Sequence, residues 1–279
     1  MNRHLWTVAL LLIAFVRPDR VLADSVSDLL IDGFSVPQGR MILTGATAGD
    51  PVDHNGQPGV QRPSVGDSIF GGERDGQYWV GFGPPQETWS FGVDPARGLY
   101  WDNDPGMHVN MTLEWDGAGD GTTAGLIAAA EPISVDLNQY RGFRVDFLKN
   151  SADLDLVLTV GNRDPNAPSD LSFPVGASQV TTRVSGGQDQ PFSIHLPLAS
   201  LEDPFAPWVP GADLSDVNVI SLRIGSAPST TGNSFVIRSF SAVAVPEPSA
   251  ALAILSAGVL ALGFTRIRRH RRKRPLSCS

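Results

Sequence analysis

Hydrophobic and polar residues alternate along much of the middle of the chain. In VNMTLEW, Val109, Met111, Leu113 and Trp115 fall on one side, and Asn110, Thr112 and Glu114 on the other. Phe143, Val145 and Phe147 alternate with Arg144, Asp146 and Leu148, and Leu154, Leu156, Leu158 and Val160 form a third run. Ile220, Leu222 and Ile224 form a fourth, and Phe235 and Ile237 begin a fifth that slips register before Phe240. A period of two is that of a half-buried strand, whose successive side chains point to opposite faces. LLIDGFS, SIFGG, YWVGF, WSFGV and FSIHL are shorter candidates, separated from the rest by turn chemistry such as NDPG, DGAGDG, RDPNAPSD and SGGQDQ. About a dozen strands with connections longer than hairpins predict an all-β fold, a β-sandwich of jelly-roll type. Residues 36–65, rich in Pro and Gly, read as a long loop or flap.

The two ends follow other rules. Arg3 and His4 precede a twelve-residue apolar core, Leu5–Val16, and Val21-Leu22-Ala23 supplies small or modest residues for cleavage. A bilayer span needs about 20 residues, so Met1–Ala23 predicts a secretory signal peptide with a short helix. Ser249–Phe264 carries no charge. As a helix of roughly 24 Å it falls short of a hydrocarbon core of about 30 Å, and spans only if its flanking arginines snorkel. Arg266, Arg268, Arg269, Arg271, Arg272, Lys273 and Arg274 follow it and predict a cytoplasmic basic anchor. The predicted organisation is a signal peptide over 1–23, a β-sandwich over 24–244 and a terminal segment over 245–279 with a transmembrane helix at 249–265.

Val245-Pro246-Glu247-Pro248, then a short apolar helix, then a basic cluster, resembles the PEP-CTERM sorting signal. The resemblance implies an exosortase, a membrane-embedded cysteine transpeptidase-like enzyme, as processing partner. It covers only the last segment and implies nothing about the body. The body's LLIDGFS, IFGGERDG, LEWDG, ISVDLNQYRGFRVDF, FSIHLPLASL and ADLSDVNVISLRIGS are similar in order to galactose-binding-like jelly rolls, which implies a fold rather than an activity.

Composition and charge sharpen this picture. The 29 glycines and 22 prolines favour many short strands over long helices. The formal net charge of −8 conceals an asymmetry: the span 24–245 holds 11 of the 21 basic and 27 of the 29 acidic residues, a net charge of −16. Such a body repels nucleic acid and anionic membranes and suits neutral sugars, divalent cations or simple solubility. The one cysteine, Cys278, lies beyond the basic cluster, so the body has neither a disulfide nor a thiol nucleophile.

Candidate chemistry is sparse. Tyr78, Trp79, Trp89 and Trp101 are dense for one half of a domain, and aromatic faces stack on sugar rings. Trp115 lies on the apolar side of its strand and reads as core; Trp79 fits either role. Asp102, Asn103, Asp104, Asp116 and Asp120 gather oxygen ligands at turns and could hold a structural Ca²⁺, although Asp and Asn also favour turns for themselves. Ser68 in GDSI looks like the nucleophile block of GDSL-type esterases, but Phe192 stands where the orienting Asp should precede His195. His54, His108 and His195 have no metal-binding spacing. Glu73, Arg74 and Asp75 read as a charge pair at a strand end, with Glu73 and Asp136 as an alternative glycosidase pair.

No catalytic constellation declares itself, and the expectation is a non-enzymatic protein. It is exported, tethered to the inner membrane through its C-terminal helix, then delivered to the cell surface or exopolysaccharide matrix. Its body is expected to bind carbohydrate. A purely structural surface protein and a polysaccharide-active enzyme are the alternatives.

Overall fold

The computed structural model describes residues 26–47, 51–52, 64–65, 68–118, 131–163, 174–203, 206, 209–226 and 232–245. The predicted signal peptide, the Pro-Glu-Pro motif, the C-terminal helix and the basic cluster lie outside the described residues. Among the described residues no helix is long and apolar enough to cross a membrane.

Sixteen strands run in chain order through the described residues: β1 (Leu29–Asp32), β2 (Gln38–Thr44), β3 (Pro51–Val52), β4 (Ser64–Val65), β5 (Glu73–Phe82), β6 (Thr88–Asp94), β7 (Gly98–Asn103), β8 (His108–Trp115), β9 (Gly117–Ala118), β10 (Glu131–Pro132), β11 (Tyr140–Asn150), β12 (Leu154–Arg163), β13 (Pro174–Val184), β14 (Phe192–Pro197), β15 (Val219–Ser226) and β16 (Asn233–Ala244). Every pairing is antiparallel. One sheet has the order β14-β11-β16-β7-β6-β2, with β1 also on β16; the other has the order β13-β12-β15-β8-β5-β3, with β4 also on β5. The fold is therefore all-β, a sandwich of two antiparallel sheets.

The alternating runs meet between the sheets. From the first sheet come Trp89, Phe91, Trp101, Phe143, Phe147, Phe235 and Phe240, and from the second Tyr78, Val109, Met111, Leu113, Trp115, Leu156, Leu158 and Ile224, all buried. Rings touch across the gap: Tyr78 lies 4.3 Å from Phe91 and Trp115 5.1 Å from Phe240, centroid to centroid. The register slip before Phe240 is real. The β11–β16 ladder shifts on both sides of Phe147, so Phe235 and Ile237, then Phe240 and Ala242, all reach the core.

Two expectations need correction. Residues 36–65 are not one loop: Gln38–Thr44 forms β2, which buries Met41 and Leu43 against β6, and short strands at 51–52 and 64–65 pair with β5. The Pro and Gly content masked a short period-two run within the segment. SIFGG is not a strand; Ile69 makes an isolated bridge to Asp32, and the chain turns at Gly71 and Gly72.

Candidate functional site

Three of the four rings expected to stack on a ligand are core residues. Tyr78, Trp89 and Trp101 are 2%, 0% and 1% exposed. Trp89 packs 4.2 Å from Phe91 and 4.6 Å from Trp101, and Trp101 5.0 Å from Phe235. Their polar handles are directed inward too. The Trp101 indole N–H donates to Asn103 Oδ1 at 2.6 Å, and the Tyr78 hydroxyl accepts from Gln38 Nε2. Strand parity places each of them on the inner face, so no ring face is open to a sugar.

The oxygen ligands do not converge. Asp102 and Asn103 are successive residues of one strand, so one side chain faces solvent and the other the core. Asp104 accepts the Thr88 amide and hydroxyl, both at 2.7 Å, which hold its carboxyl below the usual range, the hydroxyl contributing most. Asp116 is buried against Arg163, which also pairs with Glu114. Burial opposes the Arg163 charge, but the two carboxylates outweigh it and raise its pKa. Asp120 lies outside the described residues. Among the described residues no group of three His, Cys, Asp or Glu side chains is placed to hold a metal ion.

The remaining candidates are also accounted for. Ser68 Oγ lies 2.8 Å from Ser35 Oγ, with no histidine in that contact. Arg74 pairs with Asp32 rather than with its neighbours in sequence, at 2.5 Å. Glu73 is buried at the start of β5. Asp136 caps the turn Leu137–Gln139, and hydrogen bonds, first from the Gln139 side chain and then from the Asn138 amide, lower its pKa. His195 is exposed on β14; desolvation, then Arg141 and Arg144, lower its pKa. His54 lies outside the described residues.

Trp79 differs from the other three. It points to the outer face of the second sheet, opposite Asn110 of β8, and is half-buried. The ladder runs Trp79–Asn110, Val80–Val109, then Phe82–His108, with a shift between Val80 and Phe82. This bulge at Gly81 turns Phe82 onto the outer face, where strict alternation would have sent it inward. Phe82 is 53% exposed and stacks on His108 at 5.0 Å; Trp79 meets His108 edge-on at 5.9 Å. Glycine is what leaves room for the rings. A Cβ at position 81 would lie 2.7 Å from His108 Nδ1 and 2.8 Å from Trp79 Cη2. Three rings thus form an apolar outer patch on a strongly acidic body. Sequence reasoning found Trp79 but missed Phe82 and His108; Gly81 beside an aromatic pair was the available signal.

No protein-family model matches the chain, and no curated protein matches it. Among solved structures it is similar to a family 11 carbohydrate-binding module from Clostridium thermocellum in complex with a β-1,3-1,4-mixed-linked tetrasaccharide, at 8% identity over 80% of this chain and 99% of that one, TM-score 0.38. It is similar to the family 11 module of the cellulosomal cellulase Lic26A-Cel5E of Clostridium thermocellum at 10% identity, over 80% and 97% of the two chains, TM-score 0.38. It is also similar to the family 11 xylanase from Neocallimastix patriciarum at 10% identity, over 74% and 100%, TM-score 0.31. Likenesses this distant say nothing about a ligand.

Proposed function

We propose that this is an exported surface or exopolysaccharide-matrix protein, non-enzymatic, whose galactose-binding-like sandwich binds carbohydrate. The observation that carries the reading is the outer patch of Trp79, Phe82 and His108. Flat rings offer apolar faces to the C–H face of a pyranose, and the Asn110 amide opposite Trp79 in the ladder suits its hydroxyls. The chain's ends support the setting: a signal-like start, and a tail resembling PEP-CTERM signals that would be processed by an exosortase after tethering in the inner membrane. A purely structural role is the second reading, favoured by the burial of Trp89, Trp101 and Trp115.

Affinity electrophoresis of the full chain in detergent, through gels containing neutral polysaccharides, tests this. Trp79→Ala with Phe82→Ser is expected to weaken retardation by about 1–3 kcal/mol, the range seen when a stacking ring is removed from a nucleobase. Retardation unchanged by the double variant, or absent in the parent protein, rejects binding at this patch.

A further inference from the structure

The outer face of the first sheet carries a groove that the sequence did not signal. Tyr100 stands on β7 directly opposite Gly92 on β6. A Cβ at position 92 would lie 2.7 Å from the Tyr100 phenolic oxygen and 3.0 Å from its Cζ. The ring therefore lies across β6, flat on the sheet. Two depressions flank it, of about 590 Å³ toward Arg40 and Asp94 and about 430 Å³ toward Lys149 and Asp189. Arg97, Tyr100 and Asp102 line both, which makes them one groove. It crosses β2, β6, β7, β16 and β11, roughly 19 Å at the usual strand spacing.

The charge of the lining is unlike that of the body. Arg40, Arg97 and Lys149 face Asp94, Asp102 and Asp189, so the groove is balanced while the body has a net charge of −16. Lys149 is the body's only lysine. Arg97 pairs loosely with Asp94 at 3.6 Å, and Lys149 donates to Ser234 Oγ at 3.2 Å. Arg40, Asp102 and Asp189 have no side-chain hydrogen bond or ion pair among the described residues. A guanidinium presents parallel N–H groups and a carboxylate two oxygens, and either geometry matches a pair of adjacent hydroxyls. Desolvation raises the Tyr100 pKa, with Arg40 opposing and Asp94 adding to it, which keeps the phenol a donor.

We infer that this groove is a second carbohydrate site, for an extended neutral polysaccharide, and that the protein is bivalent. The inference rests on the proposed reading of the Trp79 patch. The two sites lie on the outer faces of opposite sheets, which point away from each other. One chain cannot lie flat on both, so each molecule joins two chains. A balanced lining with an aromatic floor suits neutral hydroxyls; a polyanion would meet three carboxylates there and the acidic body around them.

The test uses the full chain in detergent micelles with mixed-linkage β-glucan, galactomannan and alginate, read by affinity electrophoresis and by turbidity of the mixed solutions. The parent protein is expected to be retarded by at least one neutral polymer, not by alginate, and to make that polymer turbid. Tyr100→Ala and Arg40→Ala, both at surface positions, should each abolish turbidity, because one remaining site cannot join two chains, while leaving the weaker retardation that the Trp79 patch alone supports. Trp79→Ala with Phe82→Ser should do the same from the other face, and only the combination should abolish retardation. If the Tyr100 and Arg40 variants match the parent in both readouts while the Trp79 variant is weakened, the groove is not a site and the proposed reading stands. Stronger retardation by alginate overturns the ligand class. If the Tyr100 variant alone abolishes all binding, bivalency is overturned. No retardation by any polymer overturns both proposals.

Discussion

Asp32 and Arg74 form a buried ion pair that joins the two sheets. Asp32 ends β1 on the first sheet, Arg74 lies near the start of β5 on the second, and Nη1 lies 2.5 Å from Oδ2 with both side chains at most 1% exposed. The same carboxylate accepts the Trp115 indole N–H at 3.3 Å and the Phe34 amide at 2.6 Å. The Phe34 bond holds a non-glycine residue in the left-handed region, at φ 46°, with its ring 5.4 Å beneath the Arg74 guanidinium. One carboxylate thus fixes a turn, a ring and the approach of two sheets.

Removing it leaves a buried guanidinium without its partner. Asp32→Ala is expected to cost about 3–5 kcal/mol in denaturant unfolding, because desolvation of the remaining charge is no longer offset. Adding Arg74→Met should recover much of that loss, since an apolar pair needs no partner. A single variant as stable as the parent would show that the pair is dispensable.

Trp89 is fully buried on the inner face of β6, next to the edge strand β2 of the first sheet, and its replacement should report on packing alone. Trp89→Ala is expected to destabilise by about 3–5 kcal/mol through lost burial and a cavity. Trp79→Ala, on the outer face, should leave the unfolding midpoint nearly unchanged. Equal destabilisation by both would mean that Trp79 is a packing residue and would remove it from the binding patch.

Asp104 should make the sandwich acid-sensitive. The Thr88 hydroxyl and amide lower its folded pKa, so it contributes stability that is present above the unfolded value and lost as pH falls through the folded one. That window opens below about pH 3.9. In Asp104→Asn the deficit relative to the parent should be largest at neutral pH and narrow on acidification. Denaturant midpoints at pH 7 and pH 3 check this, and a constant deficit would assign the acid response to other groups.

The tail should be a removable address. On the proposed reading, Pro246 and Pro248 deny this stretch helical hydrogen bonds, so a protease could grip it, and the short apolar run after them, rich in Ala and Gly, would hold a bilayer with little reserve. The surface-located protein is expected to lack the segment from about Pro248 onward. Replacing Pro246, Glu247 and Pro248 with alanine should trap the full chain in the inner membrane. Mass spectrometry showing a tail intact through Ser279 would make this an ordinary single-span anchor.

Local pattern carried the strands, because period-two alternation is a property of the backbone that any half-buried strand must obey. It identified the inward sets of β8, β11, β12 and β15, and anticipated the slip before Phe240. Parity also held Trp115 in the core. It could not say which sheet faced which, so it could not see that Tyr78, Trp89 and Trp101 close on one another across and along the inner faces. Nor could it see Asp32 reaching Arg74, a partner set by the approach of two sheets rather than by spacing. The outer patch and groove needed the tertiary structure most. A bulge at Gly81 reversed the parity of Phe82, and the Tyr100 ring lies flat only because a glycine stands opposite it on another strand. Sequence specifies each strand's two faces; the register between strands decides which side chains become neighbours.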